Sequence, residues 1–179
     1  NHSQIQCNPL IIDGIMYGTT PEMKLFALDA ATGKQNWIFN PFDSIDAGNG
    51  SFFIMNNCRG ISYWSDGLKD KRILYTAGSF LHCINANDGT LIRSFGDSGK
   101  VDLHTGLDRD VSLLFITATS PGTVYKDLII LGSRVDEGPA AAPGHIRAFN
   151  VRTGKQEWIF HTIPQPGEPG HETWDNPNA

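Results

Sequence analysis

Apolar and polar positions alternate along this chain in short runs, and the runs recur in a fixed order. "KLFALD" (24–29), "FLHCIN" (80–85) and "HIRAFN" (145–150) each read as a half-buried strand of period two. A polar turn follows each of them, "ATGK", "NDGT" or "RTGK", and then a second alternating run, "QNWIF", "LIRSF" or "QEWIF". Gly33, Gly89 and Gly154 can take positive φ without Cβ strain, so each phrase predicts a β-hairpin. Trp37, Arg93 and Trp158 fall at one equivalent position of the three copies, and Phe39, Phe95 and Phe160 at another. The middle copy has therefore lost its tryptophan, and Phe95 is expected to keep that junction packed.

Upstream of each hairpin lies another apolar run, "GIMYGT", "RILYTA" or "LIILGS". Before that comes a further extended piece, "QIQCNPLII", "GISYW" or "FITATSPGTV". Four strands in one order, three times, with turn glycines 56 and 65 residues apart, predict an all-β repeat architecture. A β-propeller of four-stranded blades fits this period and order. Helical repeats do not, because no 3.6-residue amphipathic period occurs, and a β-sandwich has no need of three matching hairpins. The expected blades cover about 4–40, 58–97 and 111–162, followed by a Pro/Gly-rich connection at 163–179. Three blades are too few to close a ring, so the remaining blades of a longer chain are expected partners.

Composition removes several classes of function. The net charge of −5 and the lack of a Lys/Arg cluster argue against nucleic acid and anionic membrane surfaces. No apolar run is long enough to span a bilayer. Three cysteines without a CxxC suggest neither a disulfide framework nor a zinc site. His104, His145, His161 and His171 are scattered with no metal-like spacing, and are expected to be ordinary core or surface residues. No GxGxxG follows a strand, so a dinucleotide site is not expected.

"ALDAATGKQNW" and "AFNVRTGKQEW" carry an A-x-(D/N)-x-x-x-G-x-x-x-W pattern, and "CRGISYW" and "GHIRAFNVRTGK" add more specific matches. Together they resemble the quinoprotein, or pyrroloquinoline quinone (PQQ)-dependent, alcohol and glucose dehydrogenases, with the membrane-type glucose dehydrogenase branch fitting best. The likeness covers essentially the whole chain. It implies an eight-bladed propeller of about 450–520 residues, of which this sequence is the first third. It also implies PQQ and calcium as cofactors, an alcohol or sugar as substrate, a quinone or cytochrome as electron acceptor, and a periplasmic location. The tryptophans then become structural residues stacked between blades. Asn57 stands before Cys58, so the adjacent cysteine pair of the methanol- and ethanol-oxidising branches is missing, which points toward sugars or polyols.

PQQ is a flat tricarboxylate and needs cationic forks, polar rim groups and a flat stacking partner. The resemblance puts cofactor-binding roles on the first residues of each innermost strand: Gln6, Arg59 and Thr119, with Thr117 or Ser120 in place of Thr119 if the register slips. Gln6 stands where the family often has Glu. Arg59 matches the arginine that faces a PQQ carboxylate and the quinone oxygens, and an ion pair with Asp66 is its bland alternative. Ser133 and Arg134, in the turn after "LIILGS", are expected beside PQQ. Glu137 aligns with a carboxylate that ligates calcium in the methanol-oxidising branch, and Asp136 is chemically suited as well, while the Pro/Gly-rich "RVDEGPAAAPG" equally suits a solvated loop. The family's Asp base and Asn calcium ligand lie downstream of "GHETW", so no catalytic residue is assigned in this sequence. A non-catalytic propeller scaffold of the outer-membrane assembly type is the alternative, and it would have no reason to keep Arg59.

Overall fold

The computed structural model describes residues 5–43 and 57–174. The three predicted strand sets form three antiparallel four-stranded sheets. The first contains β1 (Leu10–Ile12), β2 (Ile15–Thr19), β3 (Leu25–Asp29) and β4 (Gln35–Phe39) in sequential order. The second runs β5 (Ser62–Ser65), β6 (Lys71–Ala77), β7 (Phe80–Asn85) and β8 (Lys100–Asp102). The third consists of β10 (Thr123–Tyr125), β11 (Leu128–Leu131), β13 (Ile146–Asn150) and β14 (Gln156–Phe160). A separate ladder pairs β9 (Ile116–Thr117) with β12 (Arg134–Val135). The blade start expected at residue 4 and the last five residues of the C-terminal connection lie outside the described residues. Among those residues, no helix is long and apolar enough to cross a membrane.

The repeated phrase owes its form to its turn chemistry. Gly33, Gly89 and Gly154 all have positive φ, between 72° and 76°. The Asp or Asn before each turn closes it: Asp29 Oδ1 accepts the amides of Ala31 and Thr32, and Asn150 Oδ1 those of Arg152 and Thr153. Asn85 Oδ1 accepts the Asn87 amide in the middle copy. Such side chains imitate a backbone turn and hold the hairpin register. Both tryptophan-bearing hairpins also carry one register shift at the same place, Ala27/Leu28 and Ala148/Phe149.

Two strands depart from the expected pattern. "LIRSF" is not the outer strand of the second blade: Leu91 makes only an isolated bridge to Ile84, and Lys100–Asp102 completes the sheet against Phe80–His82. The chain turns away at Gly96, Ser98 and Gly99, all at positive φ, and returns one turn later. "FITATSPGTV" is likewise not one strand. It breaks around Pro121, which has no amide hydrogen to give a ladder, into β9 and β10.

The apolar core sits between sheets. One cluster, including Leu25, Ala27, Ile61, Ile73 and Ile84, joins the first and second blades. The other, including Trp64, Leu81, Phe95, Ile116, Ile129 and Phe149, joins the second and third. At the first junction the Trp37 indole donates to the Ala86 carbonyl at 3.1 Å, and Tyr17 Oη donates to the same oxygen at 3.3 Å. At the second junction, where Arg93 replaces tryptophan and is exposed, the turns meet by backbone: Gly96 N–H donates to Thr153 O at 2.8 Å. Trp64 of the innermost strand supplies the indole there, donating to Lys126 O at 3.0 Å under the Arg152 guanidinium. Phe95 is fully buried in that junction, as expected.

Candidate functional site

The segments that lead into the three innermost strands, β1, β5 and β10, are laced together by backbone hydrogen bonds, so the residues expected to begin those strands lie just before them. Asn8 N–H donates to Arg59 O at 3.0 Å, and Arg59 N–H donates to Thr119 O at 2.8 Å. Asn8 and Gly60 form a parallel bridge. Gly60 suits the close approach, since a Cβ there would lie 3.3 Å from Pro121 Cγ and press on that ring. This lacing puts Gln6, Arg59 and Thr119 at one inner edge, although they are separated by more than a hundred residues of sequence.

Arg59 is exposed at that edge, and its guanidinium has no ion-pair or hydrogen-bond partner among the described residues. Asp66, its alternative partner, instead accepts the backbone amides of Leu68 and Asp70 within its own turn. Thr119 is half-buried and Ser120 exposed, whereas the Thr117 hydroxyl is committed to Gly78 O at 2.6 Å. That commitment leaves Thr119 and Ser120 as the hydroxyls open to a ligand. Arg134 pairs with Thr117 across the short ladder, so its strand runs beside the approach to Thr119. Ser133 Oγ lies 3.5 Å from His145 O. Asp136 and Glu137 follow β12 in an exposed turn, and no hydrogen bond or ion pair of theirs occurs among the described residues. Cys58 faces inward and donates to Gly60 O, and burial pushes its thiol up to about 11, so it is a protonated packing group at neutral pH.

The donors that the backbone brings to this edge are the Arg59 guanidinium, the Thr119 and Ser120 hydroxyls and the Gln6 side-chain amide, while the Arg134 guanidinium lies over the Phe115 ring. Such a set fits a flat polycarboxylate, because a guanidinium pairs with a carboxylate through two parallel N–H donors while the hydroxyls satisfy the rim. The residues present therefore suit PQQ.

A second polar group lies nearby and was not legible as a cluster in the sequence. His145 and His161, expected to be scattered, face each other just past the ends of β13 and β14, one step beyond the Ile146–Phe160 pair. Their rings meet edge to face with centroids 4.8 Å apart. Asp108 Oδ2 sits between them, 2.9 Å from His145 Nε2 and 3.3 Å from His161 Nε2. His161 Nδ1 donates to Glu168 Oε1 at 2.7 Å, and Glu168 Oε2 accepts the Gln165 amide. The hairpin register about Gly154 was the available signal for the two histidines. Nothing in the sequence signals Asp108, which comes from a loop about forty residues upstream.

That loop is held firmly. Arg147, almost fully buried in β13, donates to Thr105 O and Leu103 O at 2.8 and 2.9 Å, and burial brings its pKa down to about 10. His104 closes the loop between Asp102 and Leu114 O. Gln156 donates to Gly106 O, and Arg109 to Ala141 O.

Comparison with known proteins bears on the inner edge. The family model described as "PQQ: Glucose/ethanol/alcohol dehydrogenase, beta-propeller domain" matches residues 1–179. The dehydrogenase subunit of alcohol dehydrogenase (quinone) from Acetobacter aceti is 34% identical over 177 residues, covering 96% of this chain and 21% of that protein. Quinoprotein glucose dehydrogenase A from Acinetobacter calcoaceticus is 30% identical, covering 97% and 24%. The chain thus spans about a fifth to a quarter of the length of the curated relatives it matches. The crystal structure of quinohemoprotein alcohol dehydrogenase from Comamonas testosteroni has the same fold over 93% of this chain and 22% of that one, with a TM-score of 0.68 at 23% identity. The chain belongs to the PQQ glucose/ethanol/alcohol dehydrogenase β-propeller family.

Proposed function

We propose that this chain provides the cofactor-facing edge of a PQQ-dependent dehydrogenase that oxidises an alcohol or an aldose and passes the electrons to a quinone or a cytochrome. The observation that carries this reading is Arg59: exposed at the inner edge, fixed by its own backbone between two neighbouring blades, and without an anionic partner among the described residues. A guanidinium held in this way suits an anionic ligand better than it suits packing. Family membership gives the ligand class, and the relatives named for alcohol and glucose give the substrate class.

When bound, PQQ supplies the two-electron acceptor for removal of two hydrogens from a CH–OH group. The residues of this chain hold and orient it. Arg59 and Arg134 neutralise carboxylates, Thr119, Ser120 and Ser133 satisfy rim oxygens, and Gln6 contributes hydrogen bonds without adding negative charge. Glu137 is the candidate calcium ligand of this stretch, an oxygen donor on an exposed turn that can adapt to the ion. No residue here is given the role of general base.

The test is a dye-reduction assay on the full-length protein reconstituted with PQQ and Ca²⁺. Alcohols or aldoses should reduce the dye, and NAD should not substitute for PQQ. Turnover that needs NAD and ignores PQQ would sink the proposal.

A further inference from the structure

The cluster of Asp108, His145, His161 and Glu168 is not used by the cofactor reading, and its geometry is that of a ligand set. Each of the first three residues offers one atom, and the three atoms lie within 4.8 Å of one another. Ligand atoms about 2.0–2.1 Å from a tetrahedral metal lie about 3.3 Å apart. The two separations from Asp108 Oδ2 are 2.9 and 3.3 Å, close to that spacing, and the two histidine ligand atoms lie within 4.8 Å of each other, so a modest adjustment of the side chains brings all three around an ion.

Glu168 strengthens the case. Accepting the proton of His161 Nδ1, it leaves Nε2 to carry the lone pair when the ring is neutral, and Nε2 points into the cluster. A carboxylate behind a ligating histidine is the common second layer of zinc sites. His161 Nε2 is inaccessible to solvent and has no well-formed hydrogen bond of its own. His145 is 4% exposed and Asp108 43%, so the ion would be gripped from the protein side and reached by water from the other. The anchored 103–114 loop positions the backbone of Asp108, and the end of the β13–β14 ladder sets the backbones of the two histidines side by side.

One contact opposes binding as drawn. Thr162 N–H donates to His145 Nδ1 at 3.3 Å, which places the ring proton on Nε2. Ligation by Nε2 moves that proton to Nδ1, so the long Thr162 contact must break.

We infer that Asp108, His145 and His161 form a site for a borderline divalent cation of the zinc type, with Glu168 orienting His161 and water completing the coordination. Two imidazoles and one carboxylate favour such an ion over Ca²⁺ or Mg²⁺, which prefer all-oxygen shells.

The experiment is a Co²⁺ titration of the full-length protein saturated with Ca²⁺, followed by Zn²⁺ competition. One equivalent of Co²⁺ should raise visible d–d bands that Zn²⁺ bleaches, and the Thr162 amide resonance should shift with the same stoichiometry. Asp108→Asn, isosteric at an exposed position and checked for folding by circular dichroism, should lose the bands. Glu168→Gln should keep them with affinity about 10–100-fold weaker. Absence of saturable bands in the unaltered protein, or bands that persist unchanged in Asp108→Asn, overturns the site. These readouts are spectroscopic and do not depend on dehydrogenase activity, so failure here leaves the PQQ reading intact.

Discussion

The indole of Trp37 occupies the space where a Cβ on Gly89 would stand. A methyl built on Gly89 would lie 2.7 Å from Cδ2 and Cε3 of the ring, well inside van der Waals contact. Trp37 belongs to the outer strand of the first blade and Gly89 to the turn of the second. The glycine of the repeated phrase therefore does two things in this blade: it takes positive φ, and it gives the neighbouring tryptophan a flat peptide surface to lie on. Trp37 Nε1 then reaches the Ala86 carbonyl of the same turn.

Gly89→Ala should destabilise the full-length protein by about 2–4 kcal/mol, combining left-handed backbone strain with overpacking. Gly67→Ala is the control, because Gly67 has φ of 80° but nothing within 4 Å of the place a methyl would take. It should show the strain alone, about 1–2 kcal/mol. Denaturant titrations of the two variants separate the two contributions, and equal losses would mean that Trp37 moves aside freely.

Restoring the missing tryptophan should do nothing useful. Arg93 is exposed, and the surface that an indole would need is taken by the Gly96–Thr153 backbone contact, with Gly154 against Gly96. Arg93→Trp should change stability by no more than about 0.5 kcal/mol, as expected for a surface replacement. Trp64→Ala, by contrast, should cost about 3–5 kcal/mol, because that indole is buried and hydrogen-bonded to the third blade. Paired urea titrations test both, and a clear gain from Arg93→Trp would show that the second junction can still accept a docked ring.

These contacts also show what is readable from sequence. The first and third hairpins, the order of the strands and the Asp/Asn caps follow from local chemistry: alternation, a positive-φ glycine and a short polar side chain before the turn. The outer strand of the second blade is misplaced by the pattern because "LIRSF" alternates as well as its siblings do. The tertiary fact that decides against it, Gly96 packed on the third blade's turn, is not local. The inner edge is half legible, since the first residues of each innermost strand can be aligned by repeat position. Their backbone lacing through Asn8, Arg59 and Thr119 needs coordinates. The histidine pair can be found by folding the last hairpin about Gly154, but Asp108 arrives through a loop whose course depends on the buried Arg147.

Buried His82 predicts an acid-sensitive blade junction. It lies against Phe39, Tyr75 and Phe80, and burial lowers its pKa from the ordinary 6.5 to about 4, with Lys100 adding to the effect. Between these values the unfolded chain binds a proton that the folded chain refuses, so stability falls as pH drops from 6.5 toward 4. The full loss from this one group is about 3 kcal/mol. His82→Phe should flatten this part of the profile relative to the unaltered protein, as read by urea midpoints at pH 7, 6 and 5. Parallel profiles would place the acid sensitivity elsewhere.

Arg59 is the residue on which the proposed cofactor edge depends, and PQQ affinity measured by isothermal titration on the full-length apo-protein tests that proposal most directly. Arg59→Ala should weaken binding by about 2–4 kcal/mol, the scale for stranding a buried charged acceptor. Arg59→Lys should restore only part of that, because an ammonium cannot form the two-pronged pair. PQQ affinity unchanged in both variants would contradict the assignment of this edge as the cofactor cradle.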